Sequence, residues 1–346
     1  MTFDAGAGAA IKLIVWDLDN TLWDGILMEG DSCVVFPDVA DFIRDSDRKG
    51  ILHSIASRND PAAALAHLEG SGLGDLFLYP QIGWGAKSLS IVRIAEQLNI
   101  GLDSAVFIDD SDFELEEARS AAPELRVLNV ARLAELRQSG LLDGLRVTGE
   151  SERRRRLYQE DMKRRDAEQS FADTPQAFLA TLALRMTLQR ATHDDLDRAE
   201  ELVQRTNQLN STGRIFSSAE LATMIDRGAP TLLVATLEDR FGHYGTVALI
   251  VLEQGPERWT VELILVSCRV MSRGIGPLLL DYLAHQAEKA GKALAVEFRD
   301  TGRNQAMKIA LMMTGFLVGG GAPPSPVQRG RGARPLPSWL HVTSGW

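Results

Sequence analysis

Apolar runs and helical spacings alternate along the first 130 residues. The runs "IKLIVWDL" (11–18), "GILHSIAS" (50–57), "DLFLYPQI" (75–82), "SAVFID" (104–109) and "LRVLNV" (125–130) are short and continuous, which predicts buried strands. Between them, residues 38–50, 60–72, 87–99 and 111–123 repeat apolar positions at three- and four-residue intervals, which predicts helices. Strands alternating with helices imply a Rossmann-like α/β unit whose parallel sheet is covered on both faces. Ligands of such sheets bind at the carboxyl ends of the strands. Asp17, Asp19, Ser57, Asp109 and Asp110 all fall at those ends.

A different pattern follows. Residues 146–175 are highly charged with helical spacing and read as a linker. Beyond them the spacing predicts strand 182–191, helix 194–207, a helix near 217–227, and strands 230–237, 245–253 and 259–268. A Gly-containing turn, helix 276–291, strand 293–298 and helix 304–315 complete an α+β unit. The last stretch, 318–346, is rich in Gly, Pro and Arg and is expected to be disordered. The expected organisation is therefore 1–145, linker 146–175, 176–317 and tail 318–346.

Composition narrows the class. A chain of 346 residues suits two cores better than one. Its net charge of -10 argues against a nucleic-acid partner, which needs basic surface. The stretch "RRRRLYQEDMKRRD" (153–166) is a local exception that reads as a solvated face or as a docking patch for an acidic protein. Cys33 and Cys268 lie too far apart in the chain to suggest a disulfide framework, which fits a reducing compartment. No signal-like start and no apolar run of roughly 20 residues is present, so the expectation is a cytoplasmic protein without a membrane partner.

The strand ends carry candidate chemistry. Asp17 and Asp19, one residue apart, share a face of the strand, and the turn beyond can aim both at one site. With Asp109 and Asp110 they would repel one another without a cation, and carboxylates of this kind suit Mg²⁺. Ser57 and Lys87, with Asn59, are candidates to bind phosphate. The order "DLDNT", Ser57, Lys87 and "IDD" resembles the haloacid dehalogenase superfamily of phosphohydrolases. That resemblance implies Asp17 as nucleophile, Asp19 as general acid and base, and Mg²⁺ held by Asp17, Asp109 and the backbone carbonyl of Asp19, with Asp110 auxiliary. The spans between these motifs are short and leave no room for a cap domain, so the site should be open.

The second half resembles the GNAT acyltransferases. Their pyrophosphate-binding loop at a helix start is matched by "MSRGIG" (271–276), with Gly274 and Gly276 kept, Met271 at the usual Arg or Gln position, and Arg273 nearby. Just upstream stands Cys268 in "LVSCRVMS", where Arg269, Arg273 and a helix start would favour the thiolate. Cys33 reads as inert. His243 in "DRFGHYG" reads either as a loop histidine or as a base for Cys268. Asn207, Asn210 and Asn304 read either as turn residues or as partners of a hydroxylated acyl chain.

Both halves together resemble FkbH-like proteins, through "VWDLDNTLW", "IGWGAKSLSI", "FIDDSDFELEEA", "RTNQLNSTG", "DRFGHYGTV", "SCRVMSRG" and "FRDTGRN". The resemblance spans residues 11–317. It implies glyceryl transfer from 1,3-bisphosphoglycerate through a Cys268 thioester to a phosphopantetheinylated acyl carrier protein, for polyketide extender units. The Asp17 site would remove the remaining phosphate. The plainer alternative is a phosphatase whose second unit serves only as a carrier-protein adaptor.

Overall fold

A computed structural model describes residues 10–139, 142, 147–318, 325–328, 332 and 334–346. Contacts divide the chain into two units, Met1–Gln159 and Glu160–Trp346. Among the described residues, no helix is long and apolar enough to cross a membrane.

In the first unit, β1 (Leu13–Trp16) is buried at every position. A short antiparallel pair, β2 (Trp23–Asp24) and β3 (Val34–Val35), follows it. Then come α1 (Pro37–Arg48), β4 (Leu52–Ser57), α2 (Pro61–Gly70), β5 (Gln81–Ile82), α3 (Lys87–Leu98), β6 (Ala105–Asp109), α4 (Asp112–Ala121), β7 (Arg126–Asn129) and α5 (Leu133–Gln138). The helices begin where local chemistry starts them. Asp60 caps α2 through Ala63 N–H with Pro61 in the first turn, and Ser111 caps α4 through Glu114 N–H.

The five strands are parallel in the order β5-β4-β1-β6-β7. The chain starts in the middle, steps out to one side and then crosses to the other. The order therefore reverses beside β1, where carboxyl ends leave a crevice. The β2–β3 pair is the only sheet insertion between the described motif strands, and no cap domain is present among them.

One predicted strand is much shorter than its apolar run. Of 75–82 only Gln81–Ile82 pairs as a strand, because Tyr79 has a φ of 50° and Pro80 has no N–H to donate.

A helix α6 (Gly149–Gln169) fills most of the expected linker. The second unit continues with α7 (Pro175–Thr181), β8 (Arg185–Arg190), α8 (Leu196–Arg205), α9 (Ser218–Arg227), β9 (Thr231–Asp239), β10 (Gly242–Gln254) and β11 (Arg258–Val266). It closes with α10 (Ile275–Lys289), β12 (Ala293–Phe298), α11 (Gln305–Met313), β13 (Ser325–Gln328) and β14 (His341–Gly345). The sheet order is β13-β12-β11-β10-β9-β8-β14. Neighbours from β8 to β11 are antiparallel, whereas β11–β12 and β8–β14 are parallel. The fold class is thus a Rossmann-like α/β unit with a parallel sheet and, among the described residues, no large cap, followed by an α+β unit with a mixed sheet.

The expected disordered tail needs correction. His341–Gly345 pairs with β8, and Leu336, Trp339, Leu340 and Trp346 pack on the second core. Averaging composition over the Gly/Pro/Arg stretch hid this apolar end. Residues 319–324, 329–331 and 333 of the tail lie outside the described residues.

Candidate active site

The turn after β1 builds the first site. Asp17 N–H donates to the Ile108 carbonyl on β6, so the carboxyl ends of β1 and β6 are held together. The chain then winds about the Leu18 carbonyl, which accepts from the N–H groups of Thr21, Leu22 and Trp23. Asn20 takes a φ of 55°, the left-handed conformation that asparagine tolerates.

Lys87, the first residue of α3, reaches into this turn. Its Nζ lies 3.0 Å from Asp17 Oδ1 and 2.6 Å from Asp109 Oδ2, and all three side chains are buried. Asp110 completes the group: Asp17, Asp109 and Asp110 offer carboxylate oxygens within 4.8 Å of one another. Asp109 is fixed by Ser111 N–H at 2.8 Å and Asp110 by Thr21 Oγ1 at 3.4 Å. Ser57 is buried at the end of β4, with Gly83 N–H on its carbonyl. All five strand-end positions, with Lys87, therefore belong to one edge of one sheet.

The electrostatics follow from crowding and burial. Burial pushes the Asp17 carboxyl up to about 6; the Lys87 ammonium pulls it back, and Asp109 adds to the rise. Burial works against charge on Lys87, but the Asp17 and Asp109 carboxylates outweigh it and hold the ammonium above its ordinary value. Burial, then Asp109, also raises Asp110. One ammonium serves three carboxylates here. Such an oxygen-only donor set fits a hard divalent cation.

Asp19 stands beside that cluster. Its Oδ1 accepts from Trp23 Nε1 at 2.8 Å and from Leu27 N–H at 3.2 Å, and its Oδ2 accepts from Asn59 Nδ2 at 3.1 Å. These donors lock its orientation. Asn59, expected to bind phosphate, is fully buried and spends its amide on Asp19, so it serves as a positioning residue. Trp23 and Thr21 also support the site and were not singled out from the chain. Their signal is their place in "DLDNTLW", two and four residues beyond Asp19.

The second constellation is placed differently. Cys268 opens a short 3-10 segment, Cys268–Arg273, after β11, and neither cysteine forms a disulfide. Cys33 is buried in the first core. His243 does not serve Cys268. It is 79% exposed and its Nδ1 lies 3.2 Å from Glu238 Oε2 across the β9–β10 pair. Ser267 N–H, next to Cys268, bonds the Val247 carbonyl, four residues beyond His243 on β10.

The two arginines expected beside Cys268 and the pyrophosphate-type loop are also redirected. Arg273 is buried, its Nη1 is 2.7 Å from Glu168 Oε2, and its guanidinium lies over Phe178. Arg269 is buried as well, and both influence the buried Asp161 on α6. Arg273 is drawn inward by Glu168 of α6. Gly274, with a φ of 67°, does begin α10 with open space around it, and Gly276 is buried in the first turn.

The acyl-site asparagines are turn residues. Asn210 Oδ1 accepts from Thr212 and Gly213 N–H, and its Nδ2 donates to Thr206 O. Asn304 Nδ2 donates to Asn210 O and Arg299 O, and its Oδ1 accepts from Thr301 N–H. Only Asn207 is left half-buried without such a network in the bonds described.

These turns hold a segment in the sheet. β11 pairs with β12 only from Arg258 to Val261. Further along, Val266 N–H bonds Leu209 O, Ser211 N–H bonds Ile264 O, and Arg299 N–H bonds Ser211 O. The chain's own residues 209–211 thus occupy the gap between the diverging strands.

No protein-family model and no curated protein matches this chain. Solved structures match each unit in part. One is the N-terminal part of protein BF1531 from Bacteroides fragilis, containing a phosphatase domain complexed with Mg, at 26% identity and TM-score 0.35. The match covers 40% of this chain and 42% of that one, less than half of its length. Another is the deoxy-D-mannose-octulosonate 8-phosphate phosphatase of Haemophilus influenzae in its cobalt-bound form, at 17% identity and TM-score 0.30, covering 49% of this chain and 97% of that one. The ribosomal-protein-S18-alanine N-acetyltransferase of Escherichia coli matches at 21% identity and TM-score 0.31, covering 41% of this chain and 88% of its own. The chain is therefore similar in part to phosphatase structures and in part to an N-acetyltransferase structure.

Proposed function

We propose that the first unit is a Mg²⁺-dependent phosphomonoester hydrolase. The observation that carries this reading is the buried Lys87 shared by Asp17 and Asp109, with Asp110 completing the carboxylate group. Asp17, Asp109 and Asp110 would hold Mg²⁺, which supplies charge neutralisation for the phosphoryl group. Asp17 attacks phosphorus, the P–O bond to the substrate breaks, and Asp19 gives its proton to the departing alkoxide. Asp19 then takes a proton from water as that water attacks the aspartyl phosphate, and inorganic phosphate leaves. Ser57 and Lys87 bind the transferring group and offset its charge.

The finer reading, resting on the resemblance to FkbH-like proteins, joins this step to acyl transfer. The Cys268 thiolate attacks the acyl-phosphate carbon of 1,3-bisphosphoglycerate and phosphate leaves. The pantetheine thiol of an acyl carrier protein then displaces Cys268. Arg153, Arg156 and Lys163 are exposed and share one side of α6 at i, i+3, i+10 spacing, which suits an acidic carrier. Arg155 and Arg164 do not belong to that face: Arg155 pairs with Asp47, and Arg164 is buried.

A second reading has its own support. Arg269 and Arg273 face inward, His243 faces away from Cys268, and residues 209–211 fill the β11–β12 gap. All three favour a second unit that binds a carrier protein without performing acyl transfer. Intact-protein mass spectrometry separates the two, with 1,3-bisphosphoglycerate generated in situ and Mg²⁺ present. A glyceryl or phosphoglyceryl adduct on wild type and none on Cys268→Ala supports transfer. Equal phosphate release by both proteins with no adduct leaves the adaptor reading. In either case Asp17→Asn is expected to stop loss of the ester phosphate, so that any adduct stays phosphoglyceryl, and undiminished loss of the ester phosphate in that variant would overturn the hydrolase assignment.

A further inference from the structure

The three hydrogen bonds that hold Asp19 are divided unequally between its oxygens. Oδ1 accepts from Trp23 Nε1 at 2.8 Å and from Leu27 N–H at 3.2 Å, whereas Oδ2 accepts from Asn59 Nδ2 at 3.1 Å. The Asn59 amide cannot turn about, because its Oδ1 accepts from Asp60 N–H at 2.9 Å. Each carboxylate oxygen offers about two lone-pair sites. Two donors fill Oδ1, and the one on Oδ2 leaves that oxygen a place for a further partner.

Trp23 is itself held. It is fully buried, and the His67 ring meets its ring edge-on, with centroids 4.9 Å apart and 76° between the planes. His67 Nε2 also lies 2.8 Å from the Cys33 carbonyl. A carbonyl only accepts, so His67 carries a proton on Nε2 and donates it to this bond. Trp23 opens β2, and Cys33 directly precedes β3, the strand that pairs with β2. One imidazole thus touches both arms of the two-stranded insertion. A ribbon of two strands has little stability of its own in water, so the place of the Trp23 indole depends on what grips it.

Helix α2 supplies both grips on Asp19. Asn59 stands just before the helix cap Asp60, and His67 lies roughly two turns further along the same helix, beside the core residues Ala64 and Leu68. Asn59 holds Oδ2 directly. His67 reaches Oδ1 through the indole. One rigid element therefore fixes the carboxyl by both of its oxygens.

We infer that His67 is a positioning residue for Asp19: acting through the Trp23 indole, it keeps the carboxyl turned so that Oδ2 is the oxygen that exchanges the proton. As the P–O bond to the substrate breaks, the Oδ2–H bond breaks with it. The proton goes to the departing oxygen and the electron pair stays on Oδ2. Loss of the indole N–H opens a place on Oδ1 and frees the carboxyl to turn. This rests on the hydrolase reading above and adds to it the residues that aim its acid.

The test reads the dependence on the leaving group. A p-nitrophenoxide departs readily without a proton, whereas phenoxide depends far more on the acid. With Mg²⁺ and the full chain, kcat/KM is measured for phenyl phosphate and for p-nitrophenyl phosphate, so that both report the step that forms the aspartyl phosphate. Wild type, Asp19→Asn, His67→Ala, Trp23→Phe and the double variant are compared, with Asp17→Asn as the blank. His67→Ala and Trp23→Phe should each lower the phenyl to p-nitrophenyl ratio by roughly ten-fold, in the same sense as Asp19→Asn. The double variant should lower it no further than Trp23→Phe alone, since the histidine acts through the indole. Each ratio is taken within one protein, so any loss of folded enzyme cancels. A ratio unmoved by both single substitutions, or effects that multiply in the double variant, overturns the positioning role and spares the hydrolase reading. Release from neither substrate above the blank defeats the hydrolase reading and this inference with it.

Discussion

Lys87 shows how much one side chain can decide. It is buried between Asp17 and Asp109, at 3.0 and 2.6 Å. Replacing it with methionine keeps the volume and strands two buried carboxylates, so the first unit should lose about 3–5 kcal/mol in urea unfolding, with Mg²⁺ restoring part of the loss. A Lys87→Met protein as stable as wild type without metal would show that the carboxylates carry protons instead. His53 makes a second case. It is fully buried, accepts at Nδ1 from the Trp16 indole, and meets Ser46 Oγ at Nε2. An indole N–H can only donate, so His53 is the neutral tautomer with its proton on Nε2. Burial, then Arg155, lowers its pKa from 6.5 to about 3. The unfolded chain therefore binds more protons between these values, and stability falls as pH drops through that window, by up to about 1.4 kcal/mol per pH unit. Asp17, raised by burial, acts in the opposite sense, so the comparison must be with His53→Gln. That variant should show a flatter loss of stability from pH 6 to 4 than wild type in urea titrations, and equal slopes would rule out the buried histidine as the cause.

Helix α6 is the element whose reading changes most. Its basic stretch invites a solvated or docking face, yet Arg164 is buried and makes two bonds to Asp239, Nε–Oδ2 at 2.9 Å and Nη2–Oδ1 at 3.1 Å. Its guanidinium lies 3.9 Å from the centre of the Tyr244 ring, and Tyr244 OH donates to the same Asp239. The "DRFGHYG" motif is thus a clamp for the second part of α6. Asp239→Ala would leave the buried Arg164 with the Gly242 carbonyl at 3.2 Å and only the Glu160 and Asp161 carboxylates at 3.9 Å, which should cost the second unit about 3 kcal/mol. Pairing it with Arg164→Met should recover much of that, and a denaturation double-mutant cycle with no coupling would refute the clamp. Asn304 and Asn210 act at the same scale: they hold backbone, and exchanging either for alanine should destabilise the second unit before it alters any acyl selectivity.

At the scale of the molecule, the division into Met1–Gln159 and Glu160–Trp346 falls inside α6, within the expected linker of residues 146–175. The helix start belongs to the first unit: Ser151 Oγ donates to Arg48 O, Arg155 pairs with Asp47, and Gln159 Nε2 donates to Asp75 O. A fragment of residues 1–159 should therefore melt at a higher temperature than one of 1–145, as read by circular dichroism, and equal melting would remove these bonds from the account. The first site was legible before folding because a parallel α/β sheet brings all its strand ends to one edge. Residues as far apart as Asp17 and Asp109 then need only stand at those ends to meet. The alternation of runs and spacings likewise placed the five strands of the first sheet and five of the seven in the second, missing β13 and β14 in the tail. Only the tertiary structure decided what packing controls. It buried Arg269, turned Arg273 toward Glu168 of α6, sent His243 to Glu238, spent Asn59 on Asp19, and closed the β11–β12 gap with residues 209–211. Side-chain direction depends on which buried charge or open hydrogen bond lies within reach, and a linear pattern carries no record of that distance.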